Sequence, residues 1–232
     1  MFAACSSGSG DEPAATPAPS GASPGPSAAA GGNLFGNPGF EDGDDPWITL
    51  DPEAGFVVTQ EQAHSGASSA LLRMRDPVTA EGAKVYYLVQ EITPDQFPEV
   101  LRGFYRVENW QQGTVRQYLQ FVVIAAGPLN FPSDPSNYQI RYPLAGIDSP
   151  PFPIGNAHFK FLSREQPVEG EWIPFESNIR QDFLDYWGRV PEDFEKLRIL
   201  FEVRWDGKTA GDGAPEADVY YDDLYVGPAT PG

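Results

Sequence analysis

Apolar and polar residues alternate with a period of two along most of the chain beyond Asn33, in short runs cut by Pro and Gly. That is the pattern of strands with one face buried and the other turned away from the core. It predicts strands over 55–60, 69–75, 85–92, 101–107, 116–124, 158–162, 172–177, 197–205 and 219–226. The period changes once: over 178–187, Ile179, Phe183 and Tyr186 or Trp187 share a face at helical spacing, with Asn178 placed to cap. No βαβ rhythm is present, and short strands in this number imply two packed antiparallel sheets. The segment 126–156 carries Pro128, Pro132, Pro135, Pro143, Pro150 and Pro151 and is expected to be a long ordered loop with little sheet.

Composition sets the domain limits. From Ser6 to Gly32 every residue except Asp11 and Glu12 is Gly, Ser, Ala, Pro or Thr, too little apolar surface to fold, so this stretch reads as a flexible linker. The folded unit is then 33–227, followed by a short tail over 228–232. Ahead of the linker, Phe2-Ala3-Ala4-Cys5 resembles the cleavage box of bacterial lipoproteins, without the charged and apolar regions of a full signal. The resemblance implies lipidation at Cys5, and a tether directly behind a lipidated cysteine suits a domain displayed at a cell surface. The alternative is a fortuitous cysteine in a disordered leader.

A formal net charge of −18 repels nucleic acid and anionic lipid. Solubility accounts for it, and some of the carboxylates are also candidates to hold a cation. One cysteine excludes an internal disulfide, and with His64 and His158 the only histidines, no zinc spacing exists. No apolar run approaches the roughly 20 residues that cross a bilayer. Membrane attachment is therefore expected only through the lipid anchor.

Three motifs occur in order: Asn37-Pro38-Gly39-Phe40-Glu41 followed by Trp47, Ala63-His64-Ser65-Gly66 with Ser68-Ser69 and Leu71, and Val219-Tyr220-Tyr221-Asp222-Asp223-Leu224. Together they resemble the opening, second and closing motifs of galactose-binding-like jelly rolls, the carbohydrate-binding modules attached to xylanases and glucanases. The resemblance implies an all-β, two-sheet jelly-roll sandwich in which the helix and the Pro-rich loop are insertions.

Strand parity proposes two sets of functional residues. In the last strand Tyr220, Asp222, Leu224 and Val226 fall on one face, which Leu224 and Val226 mark as the core side. Asp222 is then a buried carboxylate, which must be paired, protonated or metal-bound. In the family resembled, the first and last strands adjoin and the turn over 65–68 supplies carbonyls, so the resemblance implies a structural Ca²⁺ on Glu41 and Asp222. The alternative is an Asp222 hydrogen-bonded to backbone amides.

On the other strands, Tyr118 and Gln120, Glu202 and Arg204, and Arg106 face away from the core, with Trp110 at a strand end. These six residues are the candidate ligand face: planar polar groups for vicinal hydroxyls and rings for the C–H face of a sugar. The expected function is non-catalytic binding of a polysaccharide or glycan. A structural or adhesive envelope protein that binds another protein is the alternative. No Ser/His/Asp order and no phosphate loop is legible, so catalysis is not expected.

Overall fold

The computed structural model describes residues 32–49, 51–127, 137–191 and 194–230. In chain order the strands are β1 (Phe56–Thr59), β2 (Ser69–Arg75), β3 (Gly82–Ile92), β4 (Val100–Gln111), β5 (Gln117–Ala126), β6 (Tyr138–Ala145), β7 (Ala157–Phe159), β8 (Trp172–Ser177), β9 (Lys196–Lys208) and β10 (Glu216–Gly227), with helix α1 (Ile179–Trp187) between β8 and β9. They form two five-stranded sheets, the first in the order β1-β2-β10-β4-β8 and the second in the order β3-β9-β5-β6-β7. All pairings are antiparallel except that of β6 with β7. This is the two-sheet jelly-roll sandwich expected from the sequence.

The alternating pattern explains the packing. On β9, Leu197, Ile199, Phe201, Val203 and Trp205 point between the sheets, and on β5 Leu119, Phe121, Val123 and Ala125 do so. They meet Leu72, Val107, Phe175, Val219 and Tyr221 of the first sheet. Phe121 stacks on its cross-strand neighbour Tyr142 at 4.3 Å, and rings bridge the layers where Phe121 leans on Phe175 at 5.4 Å and Phe201 lies 5.2 Å from Tyr221. Each such buried ring contributes about 1.5–3 kcal/mol by removal from water.

Helix α1 closes one end of this core. Asn178 Oδ1 accepts from the Gln181 amide at 2.9 Å, satisfying one free N–H of the first turn, and Gly188 at φ 70° ends the helix. Ile179 and Phe183 are fully buried. Trp187, not Tyr186, completes the face: it packs on the core beside Tyr138, whereas Tyr186 is exposed.

Two sequence expectations change. Strand β6 lies inside the segment expected to be a loop, because Pro143 is the one proline within it and still faces Gln120 across the β5 pairing. Pro128, Pro132 and Pro135 lie outside the described residues. Strand β10 breaks its own parity: a register shift between Asp222 and Tyr225, with Asp223 at φ 49°, inserts a bulge. Val219 and Tyr221 face the core before it and Leu224 and Val226 after it. Asp222 therefore shares the outward side with Tyr220, and the inward placement read from unbroken alternation is corrected.

Candidate functional site

The outward face of the second sheet is polar at one end. Tyr118 and Gln120 of β5 stand directly opposite Arg204 and Glu202 of β9, so register alone brings these four sequence-selected residues together. Gln120 Nε2 donates to Glu202 Oε2 at 2.6 Å, and the Tyr118 hydroxyl donates to Asp206 Oδ2 at 3.0 Å. Arg204 grips Asp206 with two bonds, from Nε to Oδ2 at 3.0 Å and from Nη2 to Oδ1 at 2.7 Å, and sits 5.7 Å over the Tyr118 ring. From β6, Arg141 Nε donates to Gln139 Oε1 at 3.0 Å. Asp206, Gln139 and Arg141 are the members that sequence reading missed. Arg141 and Gln139 were hidden with β6, and Asp206 lay one residue past the predicted strand.

This face is covered. Gln120 is 0% exposed, Glu202 4% and Arg141 7%, although they lie on the side of the sheet away from the sandwich core. One cover is Phe152, on the loop between β6 and β7, whose ring lies 5.3 Å from the Arg204 guanidinium and 5.6 Å from that of Arg141. Burial dictates the electrostatics. Desolvation raises Tyr118 well above the ordinary phenol range and lowers Arg141, with Glu202 opposing the latter shift. Burial also works against charged Arg204, but Glu202, Tyr118 and Asp206 outweigh it and raise that group. On this face two polar atoms have no partner among the described residues, Gln120 Oε1 and Arg141 Nη1. They belong to diagonal neighbours across the β5–β6 pairing.

The other two ligand-face candidates lie elsewhere. Arg106 projects from β4 of the first sheet, where its Nε and Nη2 both bond Glu108 Oε1 at 2.8 and 2.5 Å. Trp110 follows a break at Asn109, φ 53°, and packs against the core, its amide donating to Glu169. The single polar surface expected from parity is thus two surfaces on two sheets, because parity assigns a face within a strand and says nothing of which sheet the strand joins.

Glu41 and Asp222 meet one turn from two sides. Glu41 Oε1 accepts from the amides of Ala67 and Ser68, both at 2.9 Å. Asp222 Oδ2 accepts from the amides of His64 and Ser65 at 2.7 and 3.2 Å, and Oδ1 from that of Asp223 at 2.7 Å. Gly66, at φ 63°, is required here, since a Cβ would strike the Glu41 carboxylate. Burial first, then neighbouring Asp223, pushes Asp222 up to about 7 against the three amides. Among the described residues no three His, Cys, Asp or Glu side chains converge as a metal-ligating group. The contacts seen are those of the alternative for Asp222, a carboxylate bonded to backbone amides. The oxygens that a Ca²⁺ would use here are those of Glu41 and of a fully buried Asp222 that no Lys or Arg among the described residues contacts. Cys5 lies outside the described residues.

The fold and site thus define a β-sandwich with a covered polar array on one sheet and an acid-clasped turn at the edge of the other. No protein-family model matches the chain, and no curated protein matches it. Among solved structures it is similar to a CBM61 module, TmCBM61, in complex with β-1,4-galactotriose, at 14% identity over 84% of this chain and 97% of that one, TM-score 0.45. It is also similar to the CBM22-1 xylan-binding domain of Paenibacillus barcinonensis Xyn10C, at 16% identity over 88% and 100%, TM-score 0.43. A third is the C-terminal family 22 carbohydrate-binding module of Clostridium thermocellum Xyn10B, at 14% identity over 88% and 98%, TM-score 0.46.

Proposed function

We propose that this chain is a non-catalytic polysaccharide-binding protein displayed outside the cell, with the polar array of the second sheet as its ligand face. The observation that carries this is the pair of partnerless atoms. Gln120 Oε1 is an acceptor and Arg141 Nη1 a donor, both buried and on one face. A sugar hydroxyl both donates and accepts hydrogen bonds, so the hydroxyls of a bound sugar answer both kinds of atom. Leaving them unanswered in a buried site costs about 1–3 kcal/mol each, and placing four charged side chains on a covered outer sheet face serves no packing need. Glu202 and Asp206 are already spent on Gln120, Arg204 and Tyr118, which suits fixed recognition of hydroxyls and leaves no free acid–base pair for turnover.

In this reading the loop carrying Phe152 lifts to admit a sugar ring, which replaces the phenyl ring over the two guanidinium groups. Glu41 and Asp222 hold a calcium ion with backbone carbonyls of the 65–68 turn. Its charge keeps buried Asp222 ionised and ties the opening segment to β10. Lipidation at Cys5 and the 6–32 tether present the domain at the surface; incorporation of labelled acyl chains that is lost in Cys5→Ser tests that part.

The ligand face is tested by affinity gel electrophoresis of the full chain through neutral soluble polysaccharides: arabinoxylan, β-1,4-galactan, galactomannan and mixed-linkage β-glucan. Retardation by one of them, weakened in Gln120→Leu, is expected. Uniform mobility of the folded protein across the panel would overturn the reading.

A further inference from the structure

The first sheet carries an open cleft of ≈ 810 Å³ on its outward side, between β4, β8 and β10 and the 64–65 turn. It is far from the polar array, which faces away from the opposite sheet. Its floor is apolar because β4 and β8 place Phe104 opposite Pro174. Gly103 beside them turns to the core side, where a Cβ would strike Leu224 and Phe175. His64 lies flat on Phe104, with ring centroids 3.6 Å apart and planes at 16°, and Trp172 meets His64 edge-on at 5.7 Å. His64 is fixed in turn: its Nδ1 lies 2.6 Å from Asp223 Oδ2, while Asp223 Oδ1 accepts from the Ser65 hydroxyl at 2.7 Å. On the opposite wall Arg102 stacks over Tyr225 at 4.4 Å and lies 3.7 Å from Glu176.

Three features of this cleft select its occupant. β4 and β10 are hydrogen-bonded to neighbours on both edges, so a peptide laid over them meets only side chains, and β8, the edge strand, lacks an amide donor at Pro174. Asp223 and Glu176 at the walls, within a chain of net charge −18, repel phosphate, uronate and anionic lipid. What remains is ring faces beside planar polar heads, Arg102, Glu176 and the free edge of His64, which matches the C–H face and flanking hydroxyls of an uncharged pyranose.

We propose that this cleft is a second binding site, for a neutral pyranoside, so that one chain holds two strands of polysaccharide on opposite sides of the sandwich. The proposal shares its ligand class with the reading above but rests on different residues.

The test is calorimetric titration of the full chain with a hexasaccharide from whichever of the four polymers retards it most, or from arabinoxylan if none does. Two equivalents bound per chain are expected. Arg102→Ala with Phe104→Ser leaves one, Gln120→Leu leaves one, and the combined variant leaves none. Tryptophan emission shifts on titration of the Gln120→Leu protein, the shift is lost in Gln120→Leu with Trp172→Phe, and none is seen when the cleft substitutions are combined with Gln120→Leu. A single equivalent, abolished by Gln120→Leu and untouched by Arg102→Ala with Phe104→Ser, would overturn the cleft and keep the polar array. The reverse result would keep the cleft and overturn the array. Absence of binding by the wild-type chain would overturn both. Circular dichroism that shows the cleft variant unfolded moves the test to Arg102→Ala alone, for which at least a tenfold loss of affinity at one of the two sites is expected.

Discussion

At the scale of residues, the reading turns on single atoms that ordinary packing would have satisfied. Gln120→Leu keeps the volume of the side chain and removes both the orphaned oxygen and the bond to Glu202. The expected result is a loss of polysaccharide affinity of about tenfold or more, equivalent to about 1.4 kcal/mol, measured by gel retardation with the thermal midpoint as a folding control. A second residue-scale prediction concerns acid. Asp218 accepts from Arg73, Arg75 and Asn109 at 3.1, 2.7 and 2.7 Å. Burial alone would raise it, but those bonds outweigh burial and hold it below the ordinary aspartate value of 3.8. A carboxyl depressed in the folded state contributes stability above its unfolded pKa and loses it as pH falls through the folded one. Thermal melts should therefore show Asp218→Asn less stable than wild type at neutral pH and flatter below about pH 4. Equal slopes for the two proteins would refute the assignment. Tyr118, Gln120, Glu202 and Arg204 were legible as a group because alternation fixes which face a residue takes. Their burial was not, since a cover such as Phe152, which lies over Arg204, comes from far along the chain and is set among prolines that read only as loop.

At the scale of elements, the strands and the helix were legible within a few residues because their periodicity is strong and their ends are marked by Gly, Pro and Asn178. Asn178→Ala should cost about 1 kcal/mol, read from denaturant midpoints, since Asn178 Oδ1 satisfies the Gln181 amide. Two elements were not legible, each for a physical reason. Pro143 hid β6, because proline removes a ladder donor and its presence argues against sheet; here it sits beside a register shift between Leu119 and Gln120, where the ladder is already broken. The bulge at Asp223 leaves no mark in the pattern around it, so Asp222 was assigned to the wrong side even though its burial was anticipated. The loop carrying Phe152 yields its own prediction. If the phenyl ring occupies space that a sugar must enter, removing it raises the fraction of molecules competent to bind. Phe152→Ala should strengthen binding several-fold in the same electrophoretic assay. Weaker binding would instead make Phe152 a stacking contact of the bound sugar.

At the scale of the whole molecule, the chain closes on itself at one corner of the sandwich. Leu34 donates to the Val226 carbonyl at 2.8 Å, Asn33 bonds Leu224 and Val226, and Leu224 donates to the Pro38 carbonyl at 3.0 Å. The opening segment, the 64–68 turn and β10 thus meet where Glu41, Asp222 and Asp223 concentrate negative charge, with the His64 ring against Asp223. A chain of net charge −18 gains most from a counter-ion where carboxylates are buried, since exposed ones are screened by salt. Chelator should therefore lower the thermal midpoint and added calcium restore it, with monovalent salt at equal ionic strength restoring little. Glu41→Gln should abolish the dependence while keeping both amide bonds at Ala67 and Ser68, because the amide oxygen still accepts them. A midpoint indifferent to chelator would mean that the N–H groups of the turn suffice to hold Asp222, and that the corner is closed by hydrogen bonds alone.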